Sequence, residues 1–432
     1  MCNTAKASCT IRFRLLTMVP IVLCLAGLAI GDDFSRGHLV VSRVEYLGDP
    51  NQFNSPGFSG VQGAVFLDQY TVSGNFVNSL PLPNSTTNNA GITTSFSSHS
   101  EGAVMLSVDG NYLTYTGYQA PVGIVGVSNS FTTGAHPASS TGPFFDRVVA
   151  RIDRKGHVDV STVLKDAYSG DNARAVISVD GSQFYTVGNA SNNASAIGTI
   201  GVRYTTLGSN SSIKLGTANP SVPKADNFRA INIFDGQLYV AKGSGSNGNN
   251  GIFQVGIGLP TSGGQTITGL PGLFGPADST AFPYHHGAFF FADPTTLYIA
   301  DEGLGTATVS PVAGLQKWML VDGTWKLAYT LQAGLDMGVS KTISGYPALT
   351  STVGLRNLSG AVHGNQVTLY AITAQFSSIS GGEPDPTNLV KITDDLSATT
   401  LATDESFEIL ANSGAHEVFR GVALGRDGHN ED

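Results

Sequence analysis

From Glu101 to Gly117 the chain reads EGAVMLSVDGNYLTYTG: a small-residue start, an apolar run, an Asp-Gly step, then a run of aromatic and β-branched residues. Both flanking runs are strand-like in composition. Asp-Gly between them is a strong hairpin signal, because both central residues of the favoured two-residue turn have positive φ. The pattern returns as RAVISVDGSQFYTVG from Arg174, RAINIFDGQLYVAKG from Arg229, HGAFFFADPTTLYIADEG from His286 and RNLSGAVHGNQVTLYAIT from Arg356, with a truncated copy, FRGVALGRDG, from Phe419. Each full copy is followed by a second hairpin. These are RVVARIDRKGHVDVSTVL (147–164), GVRYTTLGSNSSIKLG (201–216), GIFQVGIGLPTSGGQTITGL (251–270), GLQKWMLVDGTWKLAYTL (314–331) and NLVKITDDLSATTLAT (388–403). One repeat is therefore four strands.

The equivalent positions Gly102, Arg174, Arg229, Gly287, Arg356 and Arg420 are spaced by 55 to 72 residues, about 64 on average. Four-stranded units at such a period, with no helical patterning between them, are what a radial β-propeller requires. Composition agrees: Gly is 53 of 432 residues, above the usual share of roughly 7%, and only 13% of residues are charged. The expectation is an all-β, six-bladed propeller of four antiparallel strands per blade. The N-terminal runs HLVVSRVEY, AVFLDQYT and NFVNSLPL supply three strands of one blade and the C-terminal half-repeat supplies its fourth, which closes the ring and removes exposed sheet edges. A long sandwich or two tandem β domains is the alternative; no Pro- or Ser-rich linker divides the chain to favour it.

Lys6, Arg12 and Arg14 precede an apolar run from Leu15 to Ile30, and Asp32-Asp33 follow it. That is the layout of a cleavable secretory signal, read as residues 1–31, with a single propeller domain over 32–432. The run is short for a membrane span, and Pro20 interrupts it. Cys2, Cys9 and Cys24 all lie within residues 1–31, so the mature chain is expected to have no disulfide, thiolate metal site or Cys nucleophile. Removing three basic residues and no acidic ones moves the net charge from −9 to −12. An acidic chain without a basic tract lacks the footprint for nucleic acid or anionic lipid. The expected product is secreted or extracytoplasmic, not inserted in a membrane.

The long loops fall on the face where inner strands begin: 118–145, 83–100, 271–284 and 333–354. Long loops on a rigid scaffold carry binding, so a ligand is expected there. Aligning the strand starts places Arg174, Arg229, Arg356 and Arg420 around the channel mouth, where planar guanidiniums can grip a carboxylate or sulfate. Asp171, Asp226, Asp301, Glu302 and Glu417 lie in neighbouring loops, so an Arg–carboxylate ring that locks the blades together is the competing reading. His99, Glu101, His285, His286 and His416 sit on the same face, and imidazole with carboxylate can hold a divalent metal such as calcium or zinc. Trp318 and Trp325 flank one outer turn, where they pack between blades or stack on a sugar. Asn84, Asn189, Asn193 and Asn210 are glycosylation sequons in expected loops, and Asn357 is a fifth at an inner-strand start.

SEGAVMLSVDGNYLTY and HHGAFFFADPTTLYIADEG resemble inner-blade repeats of the six-bladed calcium-dependent lactonases related to gluconolactonase and SMP-30, and of NHL-type propellers. The resemblance implies a metal ligand at the acidic residue before Gly, which Glu101 matches, and places His286 where that family tends to carry Asn. The other repeats carry Ala173, Phe228, Leu355 and Phe419 there. The S-x-D-x-G-x-x-W boxes of sialidases, a GxSxG elbow and a P-loop are all absent. Two readings follow. One is a non-catalytic exported propeller presenting its loop-rich face to a glycan, a small anionic ligand or an extracellular protein. The other is a metal-dependent lactonase or hydrolase using Glu101, His286 and adjacent carboxylates.

Overall fold

The computed structural model describes residues 1, 34–46, 48, 60–85, 91–96, 98–222, 224–243, 247–277, 279–379 and 385–425. The chain divides into Met1–Ile30 and Gly31–Asp432. The expected signal segment, residues 1–31, lies outside the described residues apart from Met1.

Gly31–Asp432 forms a six-bladed β-propeller. From the axis outward, blade 1 is Glu417–Leu424, Leu39–Glu45, Gln62–Tyr70 and Phe76–Pro81, so one C-terminal and three N-terminal strands close the ring. Leu39 opposes Leu424 and Glu45 opposes Glu417 in antiparallel register. Blade 2 is Val104–Leu106, Tyr112–Tyr118, Arg147–Asp153 and Val158–Leu164; blade 3 is Ala173–Ser178, Gln183–Gly188, Gly201–Thr206 and Ile213–Lys214. Blade 4 is Ala230–Phe234, Gln237–Lys242, Asn249–Val255 and Gln265–Pro276, with Gly216–Thr217 added in parallel at its outer edge. Blade 5 is His286–Asp293, Thr296–Asp301, Gly314–Val321 and Thr324–Leu331; blade 6 is Leu349–His363, Gln366–Ser377, Asn388–Asp395 and Glu408–Asn412. Each inner strand touches the inner strands of the blades before and after it.

The apolar residues that alternate along each strand meet between blades rather than in one central core. One cluster joins blades 4, 5 and 6 through Ile252, Leu297, Trp318 and Leu369. Another joins blades 2, 3 and 4 through Ala103, Val187 and Val240. Both tryptophans are buried in the first of these, as packing between blades requires.

The Asp-Gly steps divide into two kinds. At Asp235-Gly236 and Asp322-Gly323 both residues have positive φ, as a two-residue hairpin turn demands. At Asp109-Gly110 and Asp180-Gly181 only the glycine does. There the aspartate carboxylate accepts the backbone N–H two residues on, from Asn111 (3.0 Å) and Ser182 (2.9 Å), and holds a wider turn.

Three expected boundaries move. The strand Gln265–Pro276 continues into the span expected as the loop 271–284, and the inner strand of blade 6 begins at Leu349, not Arg356. The outer strand of blade 6 is Glu408–Asn412 rather than the alternating residues before 403. Asp395 fixes the local bend by accepting from the N–H and hydroxyl of Ser397 (2.8 Å each), and the chain travels on until buried Phe407 anchors it to the Ala333 carbonyl (2.8 Å). Among the described residues no helix is long and apolar enough to cross a membrane.

Candidate functional site

Four of the six aligned positions, Gly102, Arg174, Arg229 and Gly287, fall at inner-strand starts, whereas Arg420 and Arg356 lie within Glu417–Leu424 and Leu349–His363. Round the ring they read Arg420, Gly102, Arg174, Arg229, Gly287 and Arg356. Each glycine sits beside an arginine of the preceding or following blade. A Cβ on Gly102 would come within 2.7 Å of Arg420 Cβ, and one on Gly287 would touch Arg356 Cα at 3.5 Å.

Glu302, one residue past the second strand of blade 5, is the centre of the mouth. Its Oε1 accepts from Arg229 Nη1 and its Oε2 from Arg356 Nε (3.3 Å), and His99 Nε2 lies 3.8 Å from Oε2. Burial alone would raise its pKa, but Arg229, His99, Arg356 and His285 outweigh that and pull it down to about 2. Glu302 therefore carries a fixed negative charge that ties blades 4, 5 and 6 together.

Arg174 has a different setting. Its Nη1 donates to Asn227 Oδ1 (2.5 Å) and to the Phe228 carbonyl (3.0 Å), both neutral. Burial, and then the neighbouring Arg229, lower its pKa to about 10. Arg420 donates from Nη2 to the Phe96 carbonyl (2.5 Å), and Asn357 donates to the Arg420 carbonyl (2.6 Å).

The remaining acids expected beside this ring go elsewhere. Asp226 pairs with Lys214 (2.9 Å) and accepts from the Ala218 N–H (2.7 Å). Asp171 meets Lys224 (3.3 Å) and Asn189 (2.6 Å), and Glu417 meets Arg43 (2.8 Å). Asp301 is sealed and accepts from the His285 N–H (2.7 Å), the Gly303 N–H (2.9 Å) and Gln316 Nε2 (2.9 Å), with burial pushing its pKa up to about 7. Asp301 and Glu302 are adjacent in sequence and opposite in character.

The candidate metal ligands are not gathered. Glu101, buried on blade 2, accepts from the Ser95 N–H (3.2 Å), the Tyr118 hydroxyl (2.8 Å) and the Asn172 amide. His286, buried on blade 5, packs against Phe282, Tyr284 and Trp318, with ring centroids 5.7, 5.7 and 6.4 Å away. Among the described residues neither of its ring nitrogens has a hydrogen-bond partner, and burial followed by His285 lowers its pKa to about 3. His285 is half-buried near Glu302. Among the described residues no group of three or more His, Cys, Asp or Glu side chains is placed to hold a metal ion. With Glu101 occupied by protein donors and His286 enclosed by rings, this donor set does not fit calcium or zinc.

The mouth residues His99, Arg229, Glu302 and Arg356 and, deeper on the axis, Ala103, Ala175, Ala230, Ala288 and Leu358 line one cavity of about 30 Å³. That is room for about two waters.

Sequence reading missed Arg147, which is fully buried and donates to the carbonyls of Phe145 (2.6 Å), Ser128 (3.0 Å), Ser130 (3.0 Å) and Asp171 (2.7 Å). It pins the long loop of blade 2. The one signal was its place directly before the apolar run Val148-Val149-Ala150. Of the sequons, Asn84, Asn193 and Asn210 are exposed, whereas Asn189 is buried on Asp171.

The chain matches no family model, and no curated protein matches it. Among solved structures it is similar to the GH74 enzyme of Niastella koreensis (14% identity over 87% of this chain and 55% of that one, TM-score 0.38). It is also similar to a putative 6-phosphogluconolactonase of Bacteroides uniformis (11%, 89% and 100%, TM-score 0.38) and to a Hadza microbial sialidase (12%, 78% and 64%, TM-score 0.41). The chain spans about half the length of the first of these. Likenesses this distant carry no reading of the site.

Proposed function

We propose that the chain is an exported, non-catalytic β-propeller whose loop-rich face binds an anionic ligand: a carboxylate- or sulfate-bearing glycan, a small anion, or an acidic patch on an extracellular protein. The supporting observation is the company of the guanidiniums. Arg229 and Arg356 share one buried carboxylate, Glu302, while Arg174 and Arg420 donate to neutral oxygens. A partly desolvated cluster of this sign favours an anion, and planar guanidiniums match a carboxylate or sulfate in two-point contact. The resident Glu302 bridge indicates the geometry such a group takes between two arginines.

The test is binding to a panel of sulfated, uronate-bearing and neutral glycans by wild type and by Arg174→Gln, with thermal unfolding as a control for folding. Binding confined to the anionic members and at least tenfold weaker in the variant is the expected result. Equal binding of neutral members, or binding unchanged in folded Arg174→Gln, overturns the reading. Metal analysis of the purified protein with a lactone panel addresses the hydrolase reading: stoichiometric metal and turnover lost on chelation would replace a binding role by catalysis.

A further inference from the structure

At the face opposite the mouth, where the inner hairpins turn, a cleft of about 260 Å³ opens between blades 4 and 5. Four aromatic rings converge there. Phe291 is stacked on Phe234 (4.9 Å, 17°), and it also meets Tyr239 at 4.8 Å and Trp325 at 6.0 Å. Aliphatic side chains, among them Leu270 and Leu320, complete the walls.

The polar inventory is short. Gln237 is already committed, donating to the Leu238 (2.9 Å) and Val255 (3.2 Å) carbonyls and accepting from the Gly258 N–H (2.7 Å). Asp235 lines the cleft from the turn of the inner hairpin, and among the described residues its exposed carboxylate has no ion pair or hydrogen bond. Among the described residues no Lys, Arg or His lines the cleft. Asp235 is close enough to reinforce what burial does to Tyr239, whose hydroxyl pKa is raised.

We propose that this cleft is a binding site for an organic ammonium ion carrying apolar substituents, seated on the aromatic rings with its charge toward Asp235. Aromatic faces attract cations, more strongly when the cation is desolvated, and one unpaired carboxylate supplies the counter-charge. A saccharide is the poorer fit, since its hydroxyls need a ring of hydrogen-bonding groups and this cleft offers Asp235, Tyr239 and Trp325 at most. The site is independent of the mouth and of any anion bound there.

The experiment follows the two indole N–H resonances of the protein on titration with choline. Trp318 donates to Gln316 Oε1 (2.8 Å) and is the internal reference, and Trp325→Phe assigns the pair. The Trp325 signal is expected to shift saturably while Trp318 stays put. The uncharged isostere 3,3-dimethyl-1-butanol is expected to bind at least tenfold more weakly, and Asp235→Asn to weaken choline about fivefold or more. Asparagine tolerates the left-handed backbone at this position (φ +47°), so the turn is retained. Equal affinity for the alcohol, saturation by methyl α-glucoside instead, unchanged affinity in Asp235→Asn, or an unmoved Trp325 signal would each overturn the proposal.

Discussion

His286 and Asp301 oppose each other across the first hairpin of blade 5 and are both sealed from water, yet acid acts on them in opposite senses. The imidazole is held to about 3 from an ordinary 6.5, so its contribution to stability is present above pH 6.5 and lost as pH falls toward 3. The carboxyl is raised to about 7 from an ordinary 3.8, so its contribution is full below pH 3.8 and lost as pH rises through 7. Each effect is on the order of 4 kcal/mol, and between pH 4 and 6.5 the two slopes oppose. His286→Phe is therefore expected to leave a protein that grows more stable on acidification through that window, and Asp301→Asn one that grows less stable, while wild type changes little. Urea midpoints at pH 4.5, 5.5 and 6.5 check this; parallel behaviour of the two variants would refute it. The sequence placed both residues at the mouth end of blade 5, but not their opposite environments. Those come from Tyr284, in the segment leading into the strand, and from Gln316 and Trp318, which the neighbouring strand delivers.

The strand starts show what a repeat can and cannot reveal. Gly102 and Gly287 align in sequence, but their backbones differ: Gly102 has φ +87° and abuts Arg420, while Gly287 lies outside the left-handed region and has ordinary contacts at 3.5 Å. Gly102→Ala is expected to lower stability by roughly 2 kcal/mol or more through strain and the clash. Gly287→Ala is expected to cost under about 1 kcal/mol. Thermal unfolding of the pair tests this, and equal losses would contradict it. The hairpin register was legible from Asp-Gly and from alternation. The outer strand of blade 6 was not, because Ser, Ala and Thr before 403 alternate as a strand does, while Asp395 and Phe407 decide where the chain returns. The partners of Asp171 and Asp226 were also hidden, since which lysine reaches which acid depends on loop paths that no local pattern encodes.

At the scale of the ring, closure depends on Glu417–Leu424, which pairs with Leu39–Glu45 and is tied to blade 6 where Thr387 Oγ1 and Phe419 exchange two hydrogen bonds of 2.9 Å. A chain ending at Asn412 would leave an unpaired edge in blade 1 and open inter-blade surfaces beside blades 2 and 6. It is expected to give no monomer on size exclusion; a monomer with wild-type melting would show that the strand is dispensable. This closure was readable from the half-repeat at Phe419, because a propeller needs whole blades. The use of the mouth was not, because four arginines at one position serve equally to lock blades or to meet a ligand. Anomalous difference density from crystals soaked in selenate separates those roles most directly. An anion within hydrogen-bonding distance of Arg174 and of at least one of Arg229 or Arg356 is the expected result. Guanidiniums that face no common opening, with no selenate bound among them, would contradict it.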